Sequence, residues 1–173
     1  MPDSSGAAET ARLGFRGLRW LALSALVVGL DQLTKLIVIE NLNLYQRVPV
    51  LGFFDIVRLH NTGAAFSLLA DAPGWQNYLF VGVAALVSLA ILWWLFTLPA
   101  QGRVVLAIAL ALVLGGAIGN VIDRLTHGYV IDFLLFYYRE WSYPAFNVAD
   151  SAITCGVALL LFDGLVLERR RHE

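Results

Sequence analysis

The chain has 173 residues, 59% of them hydrophobic and 14% charged, with a mean hydropathy of +0.72. Soluble domains hold roughly 45–50% apolar residues, so a soluble fold is excluded, and a net charge of −1 with no basic run interleaved with aromatics excludes a nucleic-acid surface. A bilayer-spanning helix takes about 20 mostly apolar residues, so this length predicts a few spans, short connections and a single membrane-embedded domain.

Residues 1–14 are small, polar and rich in Gly and Ser, and read as a disordered tail. The first span, about 18–39, follows Arg12, Arg16 and Arg19. Its apolar start resembles a secretory leader, but the hydrophobic pattern resumes through Leu36 to Ile39 with no small-residue cleavage site, so it is read as a retained helix. The connection 40–74 contains Val48 to His60, rich in Val, Phe and Ile and interrupted at Pro49 and Gly52, which predicts a short sheet lying on the membrane. The second span, 75–98, carries Trp75 and Tyr78 at one end and Trp93 and Trp94 towards the other, as interfacial aromatic belts require. The third runs over 104–122, and after a connection at 123–144 the fourth runs over 145–167, stopping at Glu168 and the arginines 169–171.

The expected fold class is therefore an all-α membrane protein with four transmembrane helices, a small sheet or cradle, and a short loop on the same side. Arg12, Arg16, Arg19, Arg103 and Arg169 to Arg171 all fall on one side. Basic residues near span ends stay cytoplasmic, so both termini are expected there and both connections on the opposite, periplasmic side. No internal repeat is visible, which leaves an inverted-repeat transporter without support.

Ionisable groups at membrane depth are functional hypotheses by default. Asn120 and Asp123 share a helix face, as do Asn147 and Asp150, while Asp132 lies on the return between the third and fourth spans among apolar neighbours. Two carboxylates in a partly dry site cannot easily both ionise. One then takes a proton from water while the other polarises a carbonyl, which is the requirement for water-mediated peptide hydrolysis. The start of the fourth helix favours charge on Asp150 through the helix dipole, yet which aspartate holds the proton stays open. From spacing alone the alternative also stays open: a small ion or proton pathway through Asp31, Asp123, Asp132 and Asp150.

Other polar residues have plainer readings. Asp123 beside Arg124 reads as a structural ion pair, as do Asp31 and Lys35 at i,i+4. Asp163 is expected to snorkel to the cytoplasmic surface, and Cys155 to pack as a small hydrophobe. His60 and His127 lack partners at metal-ligand spacing, so no metal is expected. There is no HExxH and no GxSxG, and a serine and lysine dyad would have to use Lys35 with Ser67 or Ser151.

The ordered stretches Asp31 to Lys35, Asn61 to Ser67, Gly115 to Arg124, Val130 to Phe133 and Phe146 to Ala152 closely resemble bacterial lipoprotein signal peptidase, also called signal peptidase II. The resemblance implies a four-span inner-membrane aspartic endopeptidase that removes the signal peptide from prolipoproteins, cutting just before their diacylglyceryl-modified cysteine. By the same resemblance Asp132 and Asp150 match the catalytic pair, Asn61, Asn120, Arg124 and Asn147 match residues lining the site, and Asp31, Lys35 and Asp123 match structural polar residues. It implies no metal or organic cofactor, a lipid-modified prolipoprotein and membrane lipids as partners, and sensitivity to the cyclic peptide globomycin.

Overall fold

In the computed structural model, which describes residues 4–63, 74–99 and 103–167, the described residues form four helices and one small sheet with their connections. Helix α1 spans Ser4–Asn41 and leads into strands β1 (Arg47–Leu51) and β2 (Phe54–Asn61). Helices α2 (Trp75–Thr97) and α3 (Val104–Thr126) follow, then strands β3 (Val130–Tyr138) and β4 (Trp141–Ser142), and helix α4 (Val148–Phe162), which ends in a π-helical turn over Asp163–Leu167. Each helix carries a segment long and apolar enough to cross a membrane: Arg19–Asn41, Trp75–Thr97, Val104–Thr126 and Val148–Leu167.

Two boundaries differ from the sequence reading. The helix α1 begins at Ser4, so residues 4–14, expected as a disordered tail, continue it backward. Ala7, Ala8, Glu9, Ala11, Arg12 and Leu13 are strong helix formers, and adding a turn to an existing helix avoids the penalty of nucleation. The helix α3 continues to Thr126 instead of ending at 122, carrying Asp123 and Arg124 on helical backbone. The basic cluster at 169–171 and the stretch Ala64 to Ser67 lie outside the described residues.

The core forms around α3. Its Leu106, Ala107, Ala109, Leu110, Ala111, Val113 and Leu114 are all buried, with Ile91 and Leu95 of α2 packed against them. In lipid the chain cannot rely on the hydrophobic effect to pair helices, so close packing through small residues takes its place. Gly119 shows why: a Cβ there would sit 2.7 Å from Asp31 Oδ2 of α1. At Gly116 a Cβ would collide with the Ala149 carbonyl of α4. The hydroxyl of Ser24 donates to the Ala111 carbonyl at 2.8 Å, adding a polar tie between α1 and α3. By contrast α2 turns Tyr78, Val83, Leu86, Leu89 and Trp93 outward, as a lipid-facing helix does.

The sheet is antiparallel in the order β1-β2-β3-β4 and sits at one end of the bundle. The expected strands around Val48 to His60 are β1 and β2, but β3, read from sequence as a plain return, is a nine-residue strand. Its Val130, Ile131, Phe133, Phe136, Tyr137 and Tyr138 are β-branched or aromatic, a strand-favouring composition. Leu59 pairs with Asp132 and Asn61 with Val130 across the β2 and β3 register. On its other edge β3 meets Phe146, which accepts from the Phe133 and Leu134 amides and donates back to the Leu134 carbonyl. A single strand thus holds the end of β2 and the entry to α4 side by side. Arg58 of β2 ties the sheet to α1 by donating to the carbonyls of Ile39 and Leu42 at its C-terminal end.

Candidate active site

The residue after Phe146 is Asn147, the N-cap of α4. Its side-chain oxygen accepts from the Asp150 amide at 2.9 Å, while Asp150 Oδ2 accepts from the Asn147 amide at 3.3 Å, closing a reciprocal capping box. With its oxygen committed to the cap, Asn147 turns its NH2 group outward, where Nδ2 donates to Asp132 Oδ1 at 2.8 Å. Both aspartates are therefore bonded to the same asparagine, one through its backbone and one through its side chain.

The remaining carboxylate oxygens are met in the same way. Asn61, at the end of β2, donates from Nδ2 to Asp132 Oδ2 at 2.9 Å, and its own oxygen is held by the Gly63 amide at 3.0 Å. Asn120 of α3 donates from Nδ2 to Asp150 Oδ1 at 2.7 Å and accepts from Asn147 Nδ2 at 3.2 Å. Asp132 is almost fully buried, and that burial together with the charge of Asp150 pushes its pKa up to about 7, against the lowering effect of Asn61 and Asn147. The two aspartates open onto one cavity of about 870 Å³, shared with Asn61, Asn120, Arg124 and Tyr143. Its wall continues along α4 through Ile153, Thr154 and Cys155.

The structure brings Asp132, Asp150, Asn61, Asn120 and Asn147 into one hydrogen-bond network and places Arg124 on the same cavity, while several partners differ from the sequence reading. Asp123 does not pair with Arg124, because successive helix residues point about 100° apart. It binds Lys35 Nζ at 2.8 Å and Gln32 Nε2 at 2.8 Å instead. Arg124 donates from Nη2 to the Gly63 carbonyl at 2.8 Å and lies over the Phe80 ring, while its Nη1, also buried, makes no hydrogen bond among the described residues. Asp163 does not snorkel: it is buried and takes an ion pair from Arg103 at 3.5 Å, which joins the α4 end to the α3 start. Cys155 faces outward on the cavity wall instead of packing inside. His60 stacks on Tyr129 at 3.8 Å between centroids, and His127 also contacts that ring, at 5.7 Å.

Gln32 was missed from sequence. It bridges Asp31, Asp123 and the Gly119 carbonyl. One turn of helix puts Asp31 and Lys35 in register at 2.7 Å, and Lys35 then reaches across to Asp123 at 2.8 Å and to Asn120 Oδ1 at 3.2 Å. Asp31 Oδ1 in turn accepts from the Ala149 amide of α4 at 2.9 Å, and Asp123 Oδ2 from the Ile131 amide of β3 at 3.0 Å. Three helices and a strand are locked together beneath the aspartate pair.

A family model described as signal peptidase (SPase) II matches residues 23–166. A lipoprotein signal peptidase from Acinetobacter baumannii (strain ATCC 17978) is 50% identical over 173 residues, covering 100% of this chain and 98% of that one. One from Alteromonas mediterranea is 54% identical over 147 residues, covering 85% and 80%. Among solved structures, a bacterial membrane enzyme determined by the in meso method at 2.3 Å resolution superposes with a TM-score of 0.76 at 29% identity, covering 85% of this chain and 87% of that one.

Proposed function

The chain belongs to the lipoprotein signal peptidase (signal peptidase II) family, a family of membrane peptidases that process prolipoproteins, and from that premise we propose that it is an aspartic endopeptidase cutting before a diacylglyceryl-modified cysteine. The observation that carries this reading is the pair of carboxylates brought from β3 and α4 onto one asparagine, at a shared cavity, with uncharged amides as their partners.

Asp132, whose pKa near 7 leaves it able to hold a proton at neutral pH, is the acid. Asp150 is the base. Asp150 removes a proton from water as its oxygen attacks the scissile carbonyl carbon, and Asp132 gives its proton to the carbonyl oxygen, forming a neutral gem-diol. Collapse of that diol returns a proton to Asp132, breaks the C–N bond and passes the proton held by Asp150 to the departing amine. The Nη1 of Arg124, without a hydrogen bond among the described residues, is a donor available to a peptide carbonyl beside the scissile bond. Asn61, Asn120 and Asn147 hold the carboxylates without neutralising them, which a lysine or arginine in their place would do.

The cavity wall along Ile153, Thr154 and Cys155 gives the site an approach from the flank of α4, where acyl chains would remain in the bilayer while the peptide enters. The sheet end is then the periplasmic face of a bacterial inner membrane, with both termini cytoplasmic, and a globomycin-type cyclic peptide would occupy the same cavity. Acids spread through the membrane depth would favour the ion-pathway alternative; Asp31, Asp123, Asp132 and Asp150 instead share one end of the bundle. The test is cleavage by purified protein of two synthetic peptides that differ only in the diacylglyceryl group on cysteine, with products read by mass spectrometry. Cutting of the lipidated peptide alone, on the amino side of that cysteine, is expected. Equal cutting of both peptides, or a cut elsewhere, would overturn the assignment.

A further inference from the structure

Lys35 is a fully buried lysine with three N–H donors and three acceptors: Asp31 Oδ2 at 2.7 Å, Asp123 Oδ2 at 2.8 Å and Asn120 Oδ1 at 3.2 Å. An ion pair accounts for the first two bonds and leaves the third unexplained. A carboxamide is nearly symmetric in shape, so the partners alone decide which way it faces. An ammonium can only donate, so the oxygen of Asn120 must face Lys35, which turns Nδ2 onto Asp150 Oδ1 at 2.7 Å. The same oxygen receives Asn147 Nδ2, drawing that NH2 group to the side where it also meets Asp132 Oδ1. If Asn120 flipped, its NH2 would confront the ammonium and the Asn147 amide, and its oxygen would confront the Asp150 carboxylate. Every charge near this amide bears on the outcome: Lys35 and Asp31 from α1, Asp123 from α3, Asp132 from β3 and Asp150 from α4, while Arg124 is engaged at the Gly63 carbonyl.

We propose that Lys35 is a positioning residue for peptide cleavage, acting through Asn120 to fix the amide hydrogen bonds that both carboxylates receive. This rests on the reading of Asp132 and Asp150 as the catalytic pair and adds to it a residue that touches neither of them. A lysine that served only to neutralise Asp31 and Asp123 would need no bond to Asn120.

The experiment is a double-mutant cycle on kcat and KM with a lipidated peptide, under single-turnover conditions so that slow variants stay measurable. Lys35→Met should lower kcat about a hundredfold with KM unchanged, as misaligned catalytic groups do. In an Asn120→Ala background the same substitution should lower kcat no further. Because Lys35→Met leaves two buried carboxylates uncompensated, the cycle is run in parallel on Asp31→Asn/Asp123→Asn protein, where the lysine's removal leaves a neutral cluster, with folding checked by thermal unfolding. An equal loss from Lys35→Met with and without Asn120, or no loss in folded protein, would overturn the inference. Asp132→Asn and Asp150→Asn run alongside separate the two levels. Full turnover by either removes the catalytic-pair reading itself, whereas inactive aspartate variants with an additive cycle remove only the role of Lys35.

Discussion

Two clusters of carboxylates, all buried except the half-buried Asp150, adjoin each other at the sheet end of the bundle, and they are satisfied by opposite means. Asp31 and Asp123 share an ammonium, Lys35, through one oxygen each; Asp31 Oδ1 takes the Ala149 amide and Asp123 Oδ1 takes Gln32, while Asp123 Oδ2 also accepts from the Ile131 amide. Asp132 and Asp150, at the cavity, have among the described residues only neutral N–H partners, from Asn61, Asn120 and Asn147. An ammonium shared by two carboxylates ties their helices together, whereas amides fix a carboxylate's geometry without placing a full positive charge against it. Charged partners therefore build the scaffold here and uncharged partners serve the chemistry.

Breaking the neutral cluster should have the largest effect. Asp132→Asn or Asp150→Asn should lower cleavage of a lipidated peptide by about 10⁴-fold, the upper end of what a positioned acid or base contributes, with folding checked by the thermal midpoint because both oxygens of each aspartate accept from N–H donors and the new NH2 faces one of them. A loss below tenfold in a folded variant would contradict the division between clusters.

Breaking the charged cluster should act on stability instead. Asp31→Ala leaves Lys35 with one carboxylate and the Ala149 amide without its acceptor. Removing one member of a buried ion pair costs about 3–5 kcal/mol, to be read from thermal or denaturant unfolding in detergent micelles. Gly119→Ala presses a methyl group against Asp31 Oδ2 and should cost about 1–3 kcal/mol, the range for overpacking. If Gly119→Ala were neutral, the close approach of α1 to α3 would not be what positions the lysine.

The pH dependence sharpens the contrast with the smallest change. Asp132 must carry a proton to act as the acid, so kcat should fall about tenfold per pH unit above roughly pH 7, as for a single titrating group. Linkage gives the matching sign for stability. The folded pKa of Asp132, about 7, lies above its ordinary value of 3.8, so between them the folded state binds more protons than the unfolded one. The contribution is favourable at low pH and is lost as pH rises through that window. Asp132→Asn should flatten this part of the stability profile, and an unchanged slope would assign it to another group.

The helices were legible because a span writes itself as a continuous apolar run with aromatic ends, a signal that needs no partner. Asp132 and Asp150 were legible as rare acids among apolar residues. The strand β3 was legible in composition but was masked by its position in a connection expected to be a loop. The partners were not legible at all. Asp123 stands next to Arg124 in sequence and bonds to Lys35 from another helix, and Asp163, near a basic chain end, turns inward to Arg103.

Sequence alone determined that the chain crosses a membrane and how many times, since transfer free energy into lipid depends on each segment's own composition. Only the tertiary structure decided which carboxylates are tied to a cation and which are held by neutral amides. That choice depends on which side chains three helices and a strand bring within 3 Å of one another, and such distances are set by packing across the fold.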